Sequence, residues 1–366
     1  MKIPLNIPYF AGNESTFIEQ TFESGFYAGD GPMGRKCEDL LSSITGCPHV
    51  LMTSSCTHAL EMAAILLEVS PGDEIIMSSF NFVSAANAFV LRGARIIFVD
   101  IDPQTMNIDA DKIKDALTNN TKAIVVMHYG GVACDLEKIG ALANEYSIPI
   151  IEDAAHCIDA YERGTHLGTI GDLGTLSFHA SKNVHCGEGG ALLINNPRFL
   201  ERAITIREKG TNKKAFYAGQ VDKYSWVDLG SSYLMSEISA AFLFAQLQTL
   251  KEVTAKRKSI WSTYADGLEG VRTISTGHEH NAHIFYLICK DKEERQRLRL
   301  LLKERSITTA HHYIPLHSSQ AGKKYGFFHG VDRYATDLSE RLLRLPIYYS
   351  LENPSQIVEI ISKYLV

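Results

Sequence analysis

Residues 49–99 read HVLMTSSCTHALEMAAILLEVSPGDEIIMSSFNFVSAANAFVLRGARIIFV, and this stretch decides the fold class. Short apolar runs alternate in it with longer amphipathic stretches, and turn sequences such as Ser70-Pro71-Gly72-Asp73 separate them. The short runs predict strands at 49–53, 74–77 and 95–99, and the longer stretches predict helices at 57–68 and 83–91. This alternation indicates an α/β fold with right-handed crossovers and a mostly parallel sheet covered on both faces.

The alternation continues to about residue 195 and then stops. It predicts further strands at 122–127 and 149–152, with a helix at 135–146 between them. The remaining chain predicts helices at 197–209 and 235–265, a strand at 284–288, a charged helix at 292–305 and a final amphipathic helix after Asn353-Pro354. We therefore expect a large domain over residues 1–250 and a smaller α+β domain over residues 251–366.

Composition and charge exclude several classes of function. The net charge is −6 with no basic run, so we expect no nucleic-acid partner. The start of the chain lacks the apolar stretch of a signal peptide, and no run approaches the ~18 apolar residues of a membrane span. The 7 cysteines are dispersed without a CxxC pair, which is typical of a reducing compartment and argues against a structural metal site. We expect a cytoplasmic protein without a membrane or metal partner.

Polar side chains follow two of the predicted strands, where ligands bind in an open parallel sheet. The segment Thr53-Ser54-Ser55-Cys56-Thr57 joins a strand to a helix, and its hydroxyl and N–H groups suit a phosphate. Ser55 or Thr57 could instead only cap that helix. The segment Glu152-Asp153-Ala154-Ala155-His156 places two carboxylates after an apolar run. Asp153 could pair with a protonated ring nitrogen, or it could again be only a helix cap.

A third strand end reads Ser177-Phe178-His179-Ala180-Ser181-Lys182-Asn183, followed by Gly187-Glu188-Gly189-Gly190. Most lysines are solvated, but Lys182 lies between a strand and a glycine-rich turn that lets the backbone approach a ligand. Together the three strand ends fit pyridoxal phosphate, which needs a lysine amine, an acid at its ring nitrogen and donors for its phosphate. As a base, Lys182 would need its pKa lowered from ~10.4 to roughly 7–8.

The combined motifs resemble the DegT/DnrJ/EryC1/StrS sugar aminotransferases over almost the whole chain. Pro71-Gly72-Asp73-Glu74 and His312-Tyr313-Ile314-Pro315-Leu316-His317 match that family as well. The resemblance implies a pyridoxal-phosphate-dependent transferase of fold type I, the aspartate aminotransferase-like fold. Its large domain would hold the mostly parallel sheet, and its smaller C-terminal domain would be α+β.

The resemblance also implies roles for single residues. Lys182 would form a Schiff base with the cofactor aldehyde and act as the catalytic base, and Asp153 would meet the pyridine nitrogen. The other implied cofactor contacts are Cys56, Thr57, Ser177 and Ser232 towards the phosphate, Phe82 on the ring, and His156 beside its hydroxyl group. The implied substrate contacts are His312, Tyr313, His317 and Lys209. Phe82 follows Phe80 by two residues and could equally be a core residue.

One segment departs from the family pattern. Many members have Gly-Tyr-Asn-Tyr-Arg-Met where this chain has Gly230-Ser231-Ser232-Tyr233-Leu234-Met235. Ser232 can still hydrogen-bond but reaches less far than asparagine, and the guanidinium is lost at Leu234. This variant, together with the segments REKGTN at 207–212, GQVDKY at 219–224 and YAGDG at 27–31, resembles the branch that makes dTDP-4-amino-4,6-dideoxygalactose.

The implied reaction moves an amino group from glutamate to the C4 ketone of dTDP-4-keto-6-deoxyglucose. The gluco epimer as product, or amination at C3 of a related nucleotide sugar, stays open. The resemblance also implies a homodimer in which residues 211–233 reach the partner's site. Four lysines in or next to this segment could bind the nucleotide phosphates. Each could equally be a solvated residue of a charged loop: Lys209, Lys213, Lys214 and Lys223.

Three rival functions use a similar chain. A pyridoxamine-phosphate-dependent sugar dehydratase replaces the Schiff-base lysine by histidine, whereas this chain keeps Lys182. An NAD-dependent sugar epimerase needs G-x-G-x-x-G after its first strand, and the turn at 54–57 has no glycine. A non-catalytic regulator could keep the fold and the cofactor, but the retention of Lys182, Asp153 and Ser177 argues for catalysis.

Overall fold

A computed structural model describes residues 2–270 and 279–365. Its strands are β1 (Val50–Thr53), β2 (Glu74–Ser78), β3 (Arg95–Val99), β4 (Thr121–Met127), β5 (Ile150–Asp153), β6 (Tyr161–Glu162), β7 (Thr165–His166), β8 (Leu173–Ser177), β9 (Gly190–Ile194), β10 (Phe285–Ile288), β11 (Gly326–Phe328) and β12 (Leu342–Leu345). Its α-helices are α1 (Glu14–Ser24), α2 (Pro32–Thr45), α3 (Cys56–Leu66), α4 (Val83–Val90), α5 (Ala110–Ala116), α6 (Leu136–Tyr146), α7 (Leu200–Arg207), α8 (Lys213–Tyr217), α9 (Glu237–Gln248), α10 (Leu250–Gly267), α11 (Lys292–Glu304), α12 (Gln320–Tyr325), α13 (Ala335–Arg341) and α14 (Pro354–Leu365).

The central sheet has 8 strands in the order β1-β9-β8-β5-β4-β2-β3-β11. Strand β9 runs antiparallel to both of its neighbours, and every other neighbouring pair in the sheet is parallel. This confirms the prediction of a mostly parallel sheet. Because β1, β4, β5 and β8 all point the same way, their carboxyl ends meet at one edge of the sheet.

Both faces of the sheet are buried, which confirms the prediction of helices on both sides. In β2, Ile75 and Met77 pack into one apolar cluster, whereas Ile76 between them packs into another. The first cluster also contains Leu60 of α3, and the second contains Ile139 of α6. Successive strand residues point to opposite faces, so each face receives its own helix layer.

A third apolar cluster joins the C-terminal elements to the edge where the parallel strands end. Strands β10 and β12 form an antiparallel pair and pack with residues of α10, α11 and α14. The same cluster includes Phe80 and Tyr129, which follow β2 and β4 in the chain. The C-terminal part therefore lies over the carboxyl ends of the strands, where it encloses a cavity. The division of the chain at residue 250 stays a prediction.

Two features differ from the sequence prediction. The single helix expected at 235–265 is two helices, because Thr249 leaves helical geometry at φ −102° and ψ 6°. The hydroxyl of Thr249 donates to the carbonyl of Gln246 at 3.0 Å and so competes with helix continuation. Strand β11 was not predicted, since its three residues are too short for a periodic signal; it extends the large sheet by pairing in parallel with β3.

Within the described ranges, no helix has the length and apolar character needed to cross a bilayer. No group of three or more His, Cys, Asp or Glu side chains in this part of the chain could hold a metal ion. All seven cysteines are free thiols.

Candidate active site

A cavity of about 470 Å³ lies at the carboxyl edge of the sheet, beneath the C-terminal elements. It brings together most of the residues predicted for the site, although they are spread over more than half of the chain. The predicted residues that line it are Cys56, Thr57, Phe82, Asp153, His156, Ser177, Lys182, His312 and Tyr313. Such convergence of polar side chains in a concave site marks a ligand-binding pocket.

Lys182 and Asp153 form the charged pair of this cavity. Lys182 is half-buried and follows β8, while Asp153 is the buried last residue of β5. Burial lowers the pKa of Lys182 below its ordinary value, and the Asp153 carboxylate partly opposes that shift. Burial raises the pKa of Asp153, and the N–H of Ala155 counteracts this by donating to its Oδ1 at 3.1 Å. The site therefore holds an amine that loses its proton more readily than a solvated lysine.

The N-terminus of α3 forms part of the cavity wall. Ser55 caps α3 by accepting the His58 N–H at 3.0 Å, so the capping alternative is correct for this residue. Ser55, Cys56 and Thr57 all line the cavity, and burial raises the pKa of Cys56 to about 12, which keeps it a neutral thiol. A Cβ at Gly190 would lie 2.3 Å from the Cys56 backbone nitrogen, so only glycine permits this approach of β9.

A pair of histidines lines the same cavity. The ring of His156 lies 4.3 Å from that of His283, and its Nδ1 accepts the Gly130 N–H at 3.2 Å. Burial holds the pKa of His156 well below its usual value, so its hydrogen resides on Nε2. The Nδ1–H of His283 donates to the Asn183 side chain at 2.9 Å. Burial also holds the pKa of His283 well below its usual value, so both imidazoles are neutral and fixed in orientation.

An aromatic wall closes another side of the cavity. Phe80 is fully buried, whereas Phe82 is 51% exposed, so the core alternative for Phe82 is wrong. The rings of Phe82 and Tyr313 lie 6.0 Å apart, and the Tyr313 ring stacks on His312 at 4.3 Å with an interplanar angle of 7°. These flat side chains suit a planar ligand. Stacking of Phe82 on a cofactor ring stays a prediction.

Known proteins share both the sequence pattern and the fold. The pattern of the DegT/DnrJ/EryC1/StrS aminotransferase family matches residues 9–363. The chain belongs to this family. The spore coat polysaccharide biosynthesis protein SpsC of Bacillus subtilis is 30% identical over 96% of this chain and 93% of its own length. The aminotransferase TlmJ of Streptoalloteichus hindustanus superposes with a TM-score of 0.91 at 31% identity, covering 100% of this chain and 99% of its own.

Membership of the DegT/DnrJ/EryC1/StrS family makes this protein an aminotransferase that depends on pyridoxal phosphate. It has the fold type I architecture that the motifs predicted. Spr1654 of Streptococcus pneumoniae has been solved in its pyridoxal-phosphate and pyridoxamine-phosphate forms. The pyridoxamine-phosphate form superposes with a TM-score of 0.91 at 25% identity, over 100% of this chain and 99% of its own.

The residues of this aminotransferase fit that cofactor. Among the described residues, none forms a hydrogen bond that shifts the pKa of Lys182. Its amine is therefore available to react with an aldehyde. The Asp153 carboxylate faces the cavity and accepts one hydrogen bond from the described residues, at Oδ1, which leaves room for a ring N–H. The first N–H groups of α3 have no partner within the helix and suit a phosphate.

Sequence reasoning missed several side chains of this aminotransferase site, among them His283 and Arg344. Arg257 fixes the segment before β10 by donating to the carbonyl oxygens of Ala282, at 3.1 Å, and His283, at 2.6 Å. Arg344 is an arginine within the otherwise apolar strand β12. That interruption was the available signal, because a charged residue inside a buried strand needs a reason.

Three predicted residues lie outside the cavity of their own chain. His317 is held by Ser79 at 2.5 Å and by Asp332 at 3.3 Å. Lys209 and Ser232 are exposed and lie on adjacent backbone segments, where the Lys209 N–H donates to the carbonyl oxygen of Ser231 at 3.0 Å. Any role of these three residues in binding remains a prediction.

Proposed function

We propose that this aminotransferase transfers the amino group of glutamate to the C4 ketone of dTDP-4-keto-6-deoxyglucose and forms dTDP-4-amino-4,6-dideoxygalactose. The observation that carries the proposal is the cavity in which Lys182, Asp153 and the N-terminus of α3 converge. A single amine, a buried acid and a phosphate-binding helix end are the groups that this chemistry requires.

Asp153, His156 and Lys182 would have different roles in the transfer. When bound, pyridoxal phosphate supplies a reactive aldehyde and a ring that withdraws electrons. Asp153 would keep a negative charge at the ring nitrogen, and neutral His156 would donate a hydrogen bond from Nε2. Lys182 Nζ would take the proton from the amine-bearing carbon of the donor, since burial lowers its pKa. On the sugar, Lys182 would return a proton at C4.

A nucleotide sugar is the substrate class that the sequence and the relatives support best. The segment 230–235 carries the variant that resembles the branch making the galacto product. SpsC, which matches nearly the full length of this chain, is named for polysaccharide biosynthesis. We place the protein in the cytoplasm, in keeping with its seven free cysteines.

We further propose a homodimer in which residues 211–233 complete the partner's site. This segment exposes large apolar side chains that a monomer leaves uncovered: Tyr217 is 77% exposed and Trp226 is 78% exposed. Such a patch is typical of a protein interface. Lys209 and Ser232, which lie outside their own cavity, would then face the nucleotide and cofactor of the neighbouring subunit.

The decisive experiment is a product assay. Purified protein is incubated with dTDP-4-keto-6-deoxyglucose and glutamate, and the aminosugar is identified by NMR. The proposal expects an axial amine at C4. An equatorial amine would establish the gluco epimer, no product with this sugar but product with a 3-keto sugar would establish C3 chemistry, and no transfer to any keto sugar would refute the function.

The role of Lys182 is tested by Lys182→Ala. We expect the variant to lose the absorbance of covalently held pyridoxal phosphate and essentially all turnover, because no other lysine among the described residues lines the cavity. Lys138→Ala is the matched control, since Lys138 lies in a surface ion pair with Asp111. Parental turnover in Lys182→Ala would overturn the assignment.

A further inference from the structure

The bend at residues 281–283, directly before β10, is unfavourable in two respects. Ala282 has a φ of 52°, a left-handed backbone conformation that is strained for any residue with a Cβ. Arg257 of α10 is buried, and its guanidinium donates to the carbonyl oxygens of Ala282 and His283 rather than to a described carboxylate. Strained backbone and buried charge persist where the surrounding structure requires one particular geometry. The bend therefore points to a function for a side chain that it carries.

Asn281 joins this bend to the segment that follows β5. Its fully buried Nδ2 group donates to the carbonyl oxygens of His156 at 2.8 Å and Ile158 at 2.7 Å. Its Oδ1 accepts the N–H of His283 at 3.1 Å. A Cβ at Gly131 would lie 2.5 Å from that same oxygen, so only glycine leaves room for the amide. One side chain thus sets how closely His283 approaches His156.

The result is a contact between two imidazole rings, whose centroids lie 4.3 Å apart with an interplanar angle of 36°. Asn183 donates from Nδ2 to the carbonyl oxygen of Asn281 at 3.0 Å, so its Oδ1 is left to accept the Nδ1–H of His283 at 2.9 Å. Nδ1 of His156 accepts the N–H of Gly130 at 3.2 Å, so the hydrogen of His156 lies on Nε2. The ring of His283 therefore packs against a ring whose N–H remains free for the cavity.

We propose that His283 is a positioning residue for His156, and that its ring holds His156 where Nε2–H donates to the hydroxyl oxygen of the pyridoxal ring. The assignment rests on the part of the proposed function in which His156 donates to the cofactor, and it is independent of which sugar is aminated. A packed ring cannot turn freely about its side-chain bonds, so its N–H keeps one direction. In this role His283 acts through His156 and need not touch the cofactor.

Both rings have to stay neutral for this arrangement to hold, and their surroundings keep them so. Burial holds the pKa of each imidazole well below its usual value, and nearby groups that can carry positive charge act in the same direction. Tyr129, whose ring lies 6.0 Å from that of His156, stays a neutral phenol because burial raises its pKa. The ionisable groups that act on the pair are Lys182, Arg257, His312 and Arg344. A change of absorbance with pH would therefore report on the cofactor and not on these two histidines.

The test measures the absorbance of the bound cofactor against pH in the holoenzyme, with no substrate present. A donor at the ring hydroxyl oxygen withdraws negative charge that would otherwise hold a proton on the nitrogen joining Lys182 to the cofactor. Losing that donor should therefore raise the midpoint of the absorbance change. His283→Asn keeps an N–H for Asn183 but removes the ring, so its midpoint should rise by roughly 0.5–1 pH unit, the effect of one ordinary hydrogen bond.

Three further variants separate positioning from a general loss of structure. His283→Phe keeps a flat ring against His156 and loses only the bond to Asn183, so its midpoint should stay close to that of wild type. His156→Phe should raise the midpoint at least as far as His283→Asn, and combining the two should add nothing, because His283 acts only through His156. His166→Asn makes the same change at a buried histidine outside the cavity and should leave the midpoint unchanged.

The outcomes distinguish this assignment from the proposed function. If His283→Asn has the wild-type midpoint, or still shifts it in the His156→Phe background, the assignment is wrong while the transfer reaction stands or falls with its own product assay. If His156→Phe leaves the midpoint unchanged, His156 does not donate to the cofactor, and the assignment falls with that role. Thermal melts show whether each variant is folded. If His283→Asn does not fold, Asn281→Ser releases the same ring and should raise the midpoint, and an unchanged midpoint there would equally overturn the assignment.

Discussion

Replacing Glu152 by glutamine should destabilise the protein strongly, although Glu152 does not line the cavity. Glu152 and Asp153 are successive residues of β5, so their side chains point to opposite faces of the sheet. The fully buried Glu152 carboxylate accepts the N–H groups of Gly168 at 2.8 Å, Ile170 at 2.7 Å and Gly171 at 2.5 Å. It therefore anchors the segment before β8 to the strand that presents Asp153.

A fourth donor to Glu152 comes from His128, which follows β4. Nε2 of His128 lies 2.9 Å from the carboxylate, and Nδ1 accepts the N–H of Cys134 at 3.1 Å. The imidazole hydrogen therefore lies on Nε2 and donates to Glu152. Each carboxylate oxygen therefore accepts two hydrogen bonds. Oε2 accepts from His128 and Gly168, and Oε1 accepts from Ile170 and Gly171. In a glutamine, one of these two oxygens is replaced by an NH₂ group, which cannot accept. Whichever way the amide is turned, its NH₂ group would face two N–H donors.

The expected loss follows from these contacts. Two charge-assisted hydrogen bonds would disappear, each contributing roughly 1.5–3 kcal/mol, so Glu152→Gln should cost about 3–6 kcal/mol. In a thermal melt of the holoenzyme this corresponds to a midpoint lower by about 5 °C or more. Glu137→Gln is the matched control, because its pair with Arg163 is exposed and should contribute almost nothing. A Glu152→Gln midpoint equal to that of Glu137→Gln would refute the reasoning.

Four further outcomes are expected. Asp153→Asn keeps an oxygen for the Ala155 N–H but loses the charge, so it should retain some cofactor by absorbance and lose most of kcat; parental kcat would contradict the role. The rate at which apoprotein captures pyridoxal phosphate should rise with pH through a midpoint below ~10.4, since the pKa of Lys182 is lowered. In Asp153→Asn that midpoint should fall further, because the lost carboxylate favours the protonated amine; a higher midpoint would oppose this. Trp226→Ser should shift sedimentation towards the monomer, and an unchanged dimer would argue against this interface.

The sequence predicted those parts of the fold and site that local patterns encode. Strands β2 and β3 have apolar runs bounded by turn sequences, and their predicted bounds differ from the observed ones by at most one residue. Asp153 ends β5 and Lys182 lies five residues after β8, and topology alone brings such positions to one edge of a parallel sheet. The sequence therefore predicted that these two side chains meet at one edge of the sheet.

The other half of the site depends on packing between distant segments. His283 and Arg344 enter the cavity from β10 and β12 and their flanks, and no local pattern indicates that these strands lie over the large sheet. The break at Thr249 depends on one hydroxyl, and β11 is too short to show periodicity. Propensity and period are properties of neighbouring residues, so they could not supply these contacts.

The charges of the cavity determine the protonation state of its amine. Arg344 carries a fixed positive charge and Asp153 a negative one, while burial and Arg344 both favour the neutral amine of Lys182. Asp153 favours the protonated amine. The pKa of Lys182 therefore depends on a balance between side chains that reach the cavity from β5 and β12, two distant parts of the chain.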